Sequence, residues 1–191
     1  MPNDKKAAIF LDRDGTIIED RGHLRSVSDV VFFSETFNVL RELQKYFLLF
    51  IVTNQPGIAE GKITRDDVNH INAHIINALA EGGIEIRDLY VCPHSRSEKC
   101  RCIKPNPYFL RKASELHGVD FAASFTVGDH PHDVQLARNV GATGIYVLTG
   151  HGMRHLDELP KDTMITSGMA EAAEMILRIH QPRWEINSPG G

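Results

Sequence analysis

Short, almost wholly apolar runs recur along this chain, and each hands over to a polar segment and then to a helical pattern. Residues 7–11, 48–53, 89–92, 124–127 and 144–148 are too short for buried helices, and they predict strands buried in a sheet. Between and after them, 35–46, 64–80, 106–117, 133–140 and 170–180 carry apolar residues at helical spacing. Phe37, Leu40 and Leu43 are one such set. Thr64 reads as an N-cap with Asp66 and Asp67 in the first turn, Pro107 sits at a tolerated first-turn position, and Gly118 follows a helix end. Repeated strand–helix units predict an α/β fold: a doubly wound, mainly parallel sheet covered on both faces. In such sheets ligands bind beyond the carboxyl ends of the strands.

The chain has 191 residues, 42% of them hydrophobic and 24% charged, which suits one globular domain over 1–180. Residues 181–191, rich in Pro, Gly and Ser, read as a disordered tail. The formal net charge of −4, with no long basic run, argues against a nucleic-acid partner. No apolar run reaches the ~18 residues of a membrane span, and the charged N-terminus does not resemble a signal peptide. A cytoplasmic monomer acting on a small molecule is the expectation.

The polar segments that follow the apolar runs carry the chemistry. Asp12-Arg13-Asp14-Gly15-Thr16 brings two carboxylates to one strand end. One carboxylate can attack phosphorus and the other can shuttle a proton. Gly15 permits a tight turn with its N–H groups facing a phosphate. A solvated acidic turn is the plain alternative. Thr53-Asn54-Gln55 offers a hydroxyl at a strand end, or simply a polar terminus. Lys104-Pro105 supplies a cation for a transferring phosphoryl group. Gly128-Asp129 with Asp133 can hold a hard cation such as Mg²⁺, although Asp129 could instead cap the next helix. Gly57 and Gly61 mark a loop able to close over a ligand.

All three cysteines fall between Cys92 and Cys102. With His94, the set Cys92, Cys100 and Cys102 makes the Cys₃His combination of a structural Zn²⁺ site, with no position left for water. The alternative is three free thiols and a surface histidine. The loop 92–102 leads directly into Lys104, so zinc would position that lysine.

In order, Asp12-x-Asp14-Gly15-Thr16, Thr53-Asn54-Gln55, Lys104-Pro105 and Gly128-Asp129-x-x-x-Asp133 resemble the four motifs of the haloacid dehalogenase superfamily. The resemblance implies its Rossmann-like core, with Asp12 as nucleophile, Asp14 as general acid and base, and Thr53 and Lys104 as phosphoryl stabilisers. It places Mg²⁺ on Asp12, the Asp14 backbone carbonyl and Asp129. Together with the Gly57–Gly61 segment and the cysteine loop, these motifs resemble the D-glycero-D-manno-heptose 1,7-bisphosphate 7-phosphatases and their histidinol-phosphate phosphatase relatives. That family lacks a large cap domain, so residues 19–28, the Gly57–Gly61 segment and the zinc loop should cover the substrate. Asn54, Gln55, Ile103 and His130 are the expected substrate contacts. Ile103 stands where the family carries an arginine, and His130 where heptose enzymes often carry lysine.

The expectation is thus a Mg²⁺-dependent sugar-phosphate phosphatase that forms a phospho-aspartyl intermediate. The competing readings are a histidinol-phosphate phosphatase, a nucleic-acid 3′-phosphatase and a zinc-containing binding protein without catalysis. His132 beside the metal carboxylates could touch substrate or pack in its loop. His23, His151 and His155 read as ordinary loop residues.

Overall fold

The computed structural model describes residues 6–180. The tail expected to be disordered, 181–191, lies outside the described residues. Six strands are present: β1 (Ala8–Leu11), β2 (Leu48–Asn54), β3 (Ile86–Cys92), β4 (Phe125–Gly128), β5 (Thr143–Val147) and β6 (Met164–Thr166). They form one sheet in the order β3-β2-β1-β4-β5-β6, and every pairing is parallel. The chain runs outward from β1 to β3, then returns to place β4 on the other side of β1. The crevice beyond the ends of β1 and β4 is therefore the switch point where such sheets bind ligands.

Strand periodicity assigns the faces. Ile9 and Leu11 of β1, with Leu49 and Ile51 of β2, point to one side. There they meet α1 (Thr36–Leu43), α2 (Arg65–Glu81) and α5 (Met169–His180) through Leu40, Ile75 and Ile176. The alternate residues Ala8, Phe10, Phe50 and Val52 face α3 (Tyr108–His117) and α4 (Pro131–Arg138) through Leu110, Ala113 and Leu136. On this second side Phe10, Phe50, Tyr90 and Phe109 stack in a row, with successive centroids 5.0, 6.3 and 5.1 Å apart. Each buried ring removes enough apolar surface from water to stabilise the fold by about 1.5–3 kcal/mol.

The helix ends follow their local chemistry. Thr64 caps α2 and forms a capping box with Asp67. Gly118 ends α3 in the left-handed region, at φ 69°. Pro107 is the N-cap of α3 rather than a residue of its first turn. The helix expected from Asp133 begins earlier, at Pro131, because His130 caps it and Pro131 supplies a ready-made first turn. β3 is longer than the run 89–92 suggests, since Arg87 and Asp88 interrupt its apolar pattern on a half-exposed edge strand. β6 was not expected: Met164 and Ile165 are exposed, so this short edge strand has no buried periodicity to show.

Between β1 and α1 the described chain contains only a short 3₁₀ turn, Val27–Asp29, and no cap domain. Among the described residues, no helix is long and apolar enough to cross a membrane.

Gly144 lets α4 lie close against β5, since a Cβ there would come within 2.8 Å of the Val134 Cα. Gly144→Val should cost about 1–3 kcal/mol through overpacking, read as a lower midpoint in denaturant unfolding.

Candidate active site

β1 ends at Leu11, and the Asp12 N–H donates to the Val127 carbonyl of β4 at 2.9 Å, which fixes Asp12 at the crevice. The next residues turn back: Gly15 has φ 79°, and its N–H donates to the Ile18 carbonyl at 2.7 Å. Asp12 and Asp14 both line one cavity of about 420 Å³. Thr53, Asn54 and Gln55, at the end of β2, line it as well, as do Lys104, Asp129 and His130.

Lys104 is buried and lies 2.8 Å from Asp12 Oδ1 and 2.7 Å from Asp133 Oδ1. Burial alone would lower its pKa. The charges of Asp12 and Asp133 outweigh that and push its pKa above the ordinary value. Asp133 is raised by its own burial, against the pull of Lys104. Its other oxygen, Oδ2, accepts the His130 N–H at 3.2 Å, so it holds α4 and the lysine together. Asp129 is pushed up to about 8, chiefly by burial and next by the charge of Asp12. Its Oδ2 accepts the His151 N–H at 2.7 Å. Asp129 does not cap α4; His130 does, accepting the His132 N–H at Nδ1.

Carboxylate oxygens of Asp12, Asp129 and Asp133 lie within 4.8 Å of one another. One ammonium faces three acids, a balance suited to a further cation. Asp129 is also closely walled: a Cβ on Gly15 or on Gly150 would come within 2.2 Å of its Oδ2.

Asp14 depends on Arg13, which the sequence reading passed over. The guanidinium is only 1% exposed, while the Asp14 side chain keeps 17%, so the acid faces the cavity and the cation stands behind it. Arg13 Nε and Nη2 reach Asp14 at 3.1 and 2.8 Å, and Nη1 donates to Asn72 Oδ1 at 2.7 Å. Burial still raises the Asp14 pKa, because Arg13 offsets only part of it and Asp12 adds to it. Gln55 Nε2 bridges Asp14 Oδ2 at 2.8 Å and Thr53 Oγ1 at 2.9 Å. The Asn54 Oδ1 accepts the Lys104 N–H at 3.1 Å.

Cys92, His94, Cys100 and Cys102 converge. Their neighbouring Sγ and Nδ1 atoms are 3.2–3.6 Å apart. A disulfide would need about 2.05 Å between sulfurs, whereas Zn–S bonds of ~2.3 Å in a tetrahedron separate sulfurs by about 3.8 Å. The four side chains are thus close enough together to hold a metal ion.

Ile103 does not line the cavity. It packs in a buried apolar cluster with Cys92 and Cys102. The wall instead includes Asp20, His23, Arg96, His132 and His151. His151 was read as an ordinary loop residue. Its ring lies 3.4 Å from Asp20 and its N–H holds Asp129. The His155 ring lies tilted against that of His130, with centroids 4.6 Å apart. The one trace of Arg13's role in the sequence is its place between Asp12 and Asp14; its buried partner Asn72 lies 59 residues away.

A family model described as HAD-hydrolase-like matches residues 101–172. The chain is 36% identical over 170 residues to the D-glycero-beta-D-manno-heptose-1,7-bisphosphate 7-phosphatase of Yersinia pestis, covering 84% of this chain and 90% of that protein. The enzyme of the same name from Escherichia coli (strain K12) is 35% identical over 185 residues, with 92% and 96% covered. A crystal structure of D,D-heptose 1,7-bisphosphate phosphatase from B. bronchiseptica, complexed with magnesium and phosphate, superposes with a TM-score of 0.82. It is 30% identical and covers 91% of this chain and 99% of that one. The protein is a HAD-like phosphatase, a phosphoric monoester hydrolase. Within that class it belongs to the family of the heptose-1,7-bisphosphate 7-phosphatases.

Arg13→Met should leave Asp14 and Asn72 without their buried donor. A loss of about 3 kcal/mol or more in denaturant unfolding is expected.

Proposed function

We propose that the protein removes the 7-phosphate of D-glycero-D-manno-heptose 1,7-bisphosphate with Mg²⁺ through a phosphoryl group carried on Asp12. The observation that carries the chemistry is the opening of Asp12 and Asp14 into one cavity, with Lys104 at 2.8 Å from Asp12. The substrate is inferred from the names of the relatives over nearly the whole chain.

Asp12 Oδ1 is occupied by the Arg13 N–H at 2.8 Å and by Lys104, which leaves Oδ2 to attack phosphorus. The new Asp12–phosphorus bond forms as the bond to the sugar oxygen breaks. Asp14, with its raised pKa, gives its proton to the departing oxygen. Asp14 then takes a proton from water. That water attacks phosphorus, the bond to Asp12 breaks, and phosphate leaves. The Thr53 hydroxyl, which accepts from Gln55, donates a hydrogen bond to the transferring group, and Lys104 offsets its charge.

The cavity's excess of carboxylates fits a hard divalent cation with oxygen ligands. Asp12, Asp129 and the Asp14 carbonyl would hold Mg²⁺, and when bound it would screen the phosphoryl oxygens from the nucleophile. Asp133 holds Lys104 behind that set. Zn²⁺ would sit on Cys92, His94, Cys100 and Cys102 and order the loop that delivers Lys104. Residues 1–180 would act as one catalytic domain.

Phosphate release from a panel of esters with Mg²⁺, including heptose 1,7-bisphosphate and histidinol phosphate, tests the substrate. The heptose ester should give the highest kcat/KM and leave the 1-phosphate intact. Asp12→Asn should lower kcat on the order of 10³-fold or more; hydrolysis at the wild-type rate would remove Asp12 as nucleophile. Elemental analysis should find zinc in the purified chain and none in Cys102→Ser. Stripping zinc should lower both Tm and kcat. If activity and loop order survive its removal, zinc has no hold on Lys104.

A further inference from the structure

Two cations line the active-site cavity, Lys104 and Arg96, and their circumstances differ. Lys104 is buried between two carboxylates. Arg96 is exposed, and among the described residues it has no carboxylate partner. The nearest acid in sequence, Glu98, is committed elsewhere: its Oε2 accepts the Ser95 N–H at 2.6 Å and closes a capping box on the turn Arg96–Glu98.

The guanidinium is nevertheless held in place. Its Nη1 and Nη2 each lie 3.0 Å from a ring nitrogen of His132. His132 in turn stacks on His130, with centroids 4.4 Å apart and planes at 14°. A neutral imidazole has one acceptor nitrogen, so at most one of the two contacts to Arg96 is a hydrogen bond. The other donors of the fork meet no protein acceptor among the described residues. Arg96 is thus a permanent cation, oriented by a stacked ring, whose charge no carboxylate among the described residues pairs with. Ile103, turned into the apolar cluster with Cys92 and Cys102, brings no cation to the same wall.

We propose that Arg96 is the specificity-determining residue that binds a second phosphate of the substrate, the one that is not transferred. A planar guanidinium can pair with two oxygens of that phosphate. The transferring phosphoryl group belongs to Asp12, Lys104 and Thr53. The distal group therefore needs its own cation farther out, and Arg96 is the unpaired cation among the cavity's lining residues. Because the distal phosphate takes no part in bond breaking, Arg96 contributes equally to the ground state and the transition state. It lowers KM and leaves kcat alone.

This inference rests on the phosphatase reading above. The test is steady-state kinetics of the full chain with Mg²⁺ on heptose 1,7-bisphosphate and on heptose 7-phosphate, for wild type, Arg96→Ala and Arg96→Lys. The ratio of kcat/KM for the bisphosphate to that for the monophosphate should fall about tenfold or more in Arg96→Ala. The fall should come through KM, and Arg96→Lys should recover part of it. An unchanged ratio in Arg96→Ala, or equal losses of kcat on both esters, would overturn the assignment while leaving the phosphatase reading intact. Failure of wild type to hydrolyse either ester would overturn the substrate reading and this inference with it.

Discussion

Lys104 is an ammonium ion almost wholly buried at the floor of the cavity, and it keeps its charge there because Asp12 and Asp133 both pair with it. Taking a charge into the interior costs several kcal/mol unless it is paired and hydrogen-bonded. Each partner is placed by a different part of the sheet. Asp12 leaves β1, Asp133 sits in the first turn of α4 after β4, and the lysine arrives on the loop after β3. The parallel order that puts β1 beside β4 is what lets the two acids meet. Once they have met, only the lysine among the described residues forms an ion pair with them, and Asp129 adds a third carboxylate to the same few ångströms.

The cysteine loop is built into this arrangement. Cys92 pairs in register with Asn54 at the last rung of β3 and β2, and the Gln55 N–H donates to the Cys92 carbonyl at 2.7 Å. At the loop's other end, Asn54 receives the Lys104 N–H. Both ends of the loop are thus fastened to the end of β2, beside Thr53. A segment with little apolar surface keeps a defined path because its two ends are fastened and its four side chains Cys92, His94, Cys100 and Cys102 converge.

Much of this was legible in the sequence. Each of the five apolar runs became a strand because buried strands leave no room for polar interruptions, and Thr64 declared its cap through Asp67 three residues later. Asp12, Asp14, Thr53, Lys104 and Asp129 were visible because each ends or follows such a run or follows the cysteine cluster, and all of them line the cavity. Long-range partners left less trace. Arg13, in the turn after β1, looks like a surface residue until Asn72 of α2 receives its guanidinium. Ile103 is expected at the substrate because it stands where the resembled family carries an arginine, yet its side chain follows its hydrophobicity into the cluster with Cys92 and Cys102. Arg96 and His151 stand on loops, where no periodicity says which way a side chain turns.

Gly15 and Gly150 come from opposite ends of the catalytic region and meet over Asp129. A Cβ on Gly150 would lie 2.5 Å from the Gly15 Cα, and one on Gly15 would lie 3.1 Å from the Gly150 Cα. Neither can yield space to the other, since each also abuts the same carboxylate oxygen. Substitutions at the two positions should therefore not add as independent losses. In a mutational landscape the pair behaves as one locus: after either is replaced, the other has little left to protect. Drift at these two glycines is constrained jointly, by a gap that only hydrogen atoms can occupy.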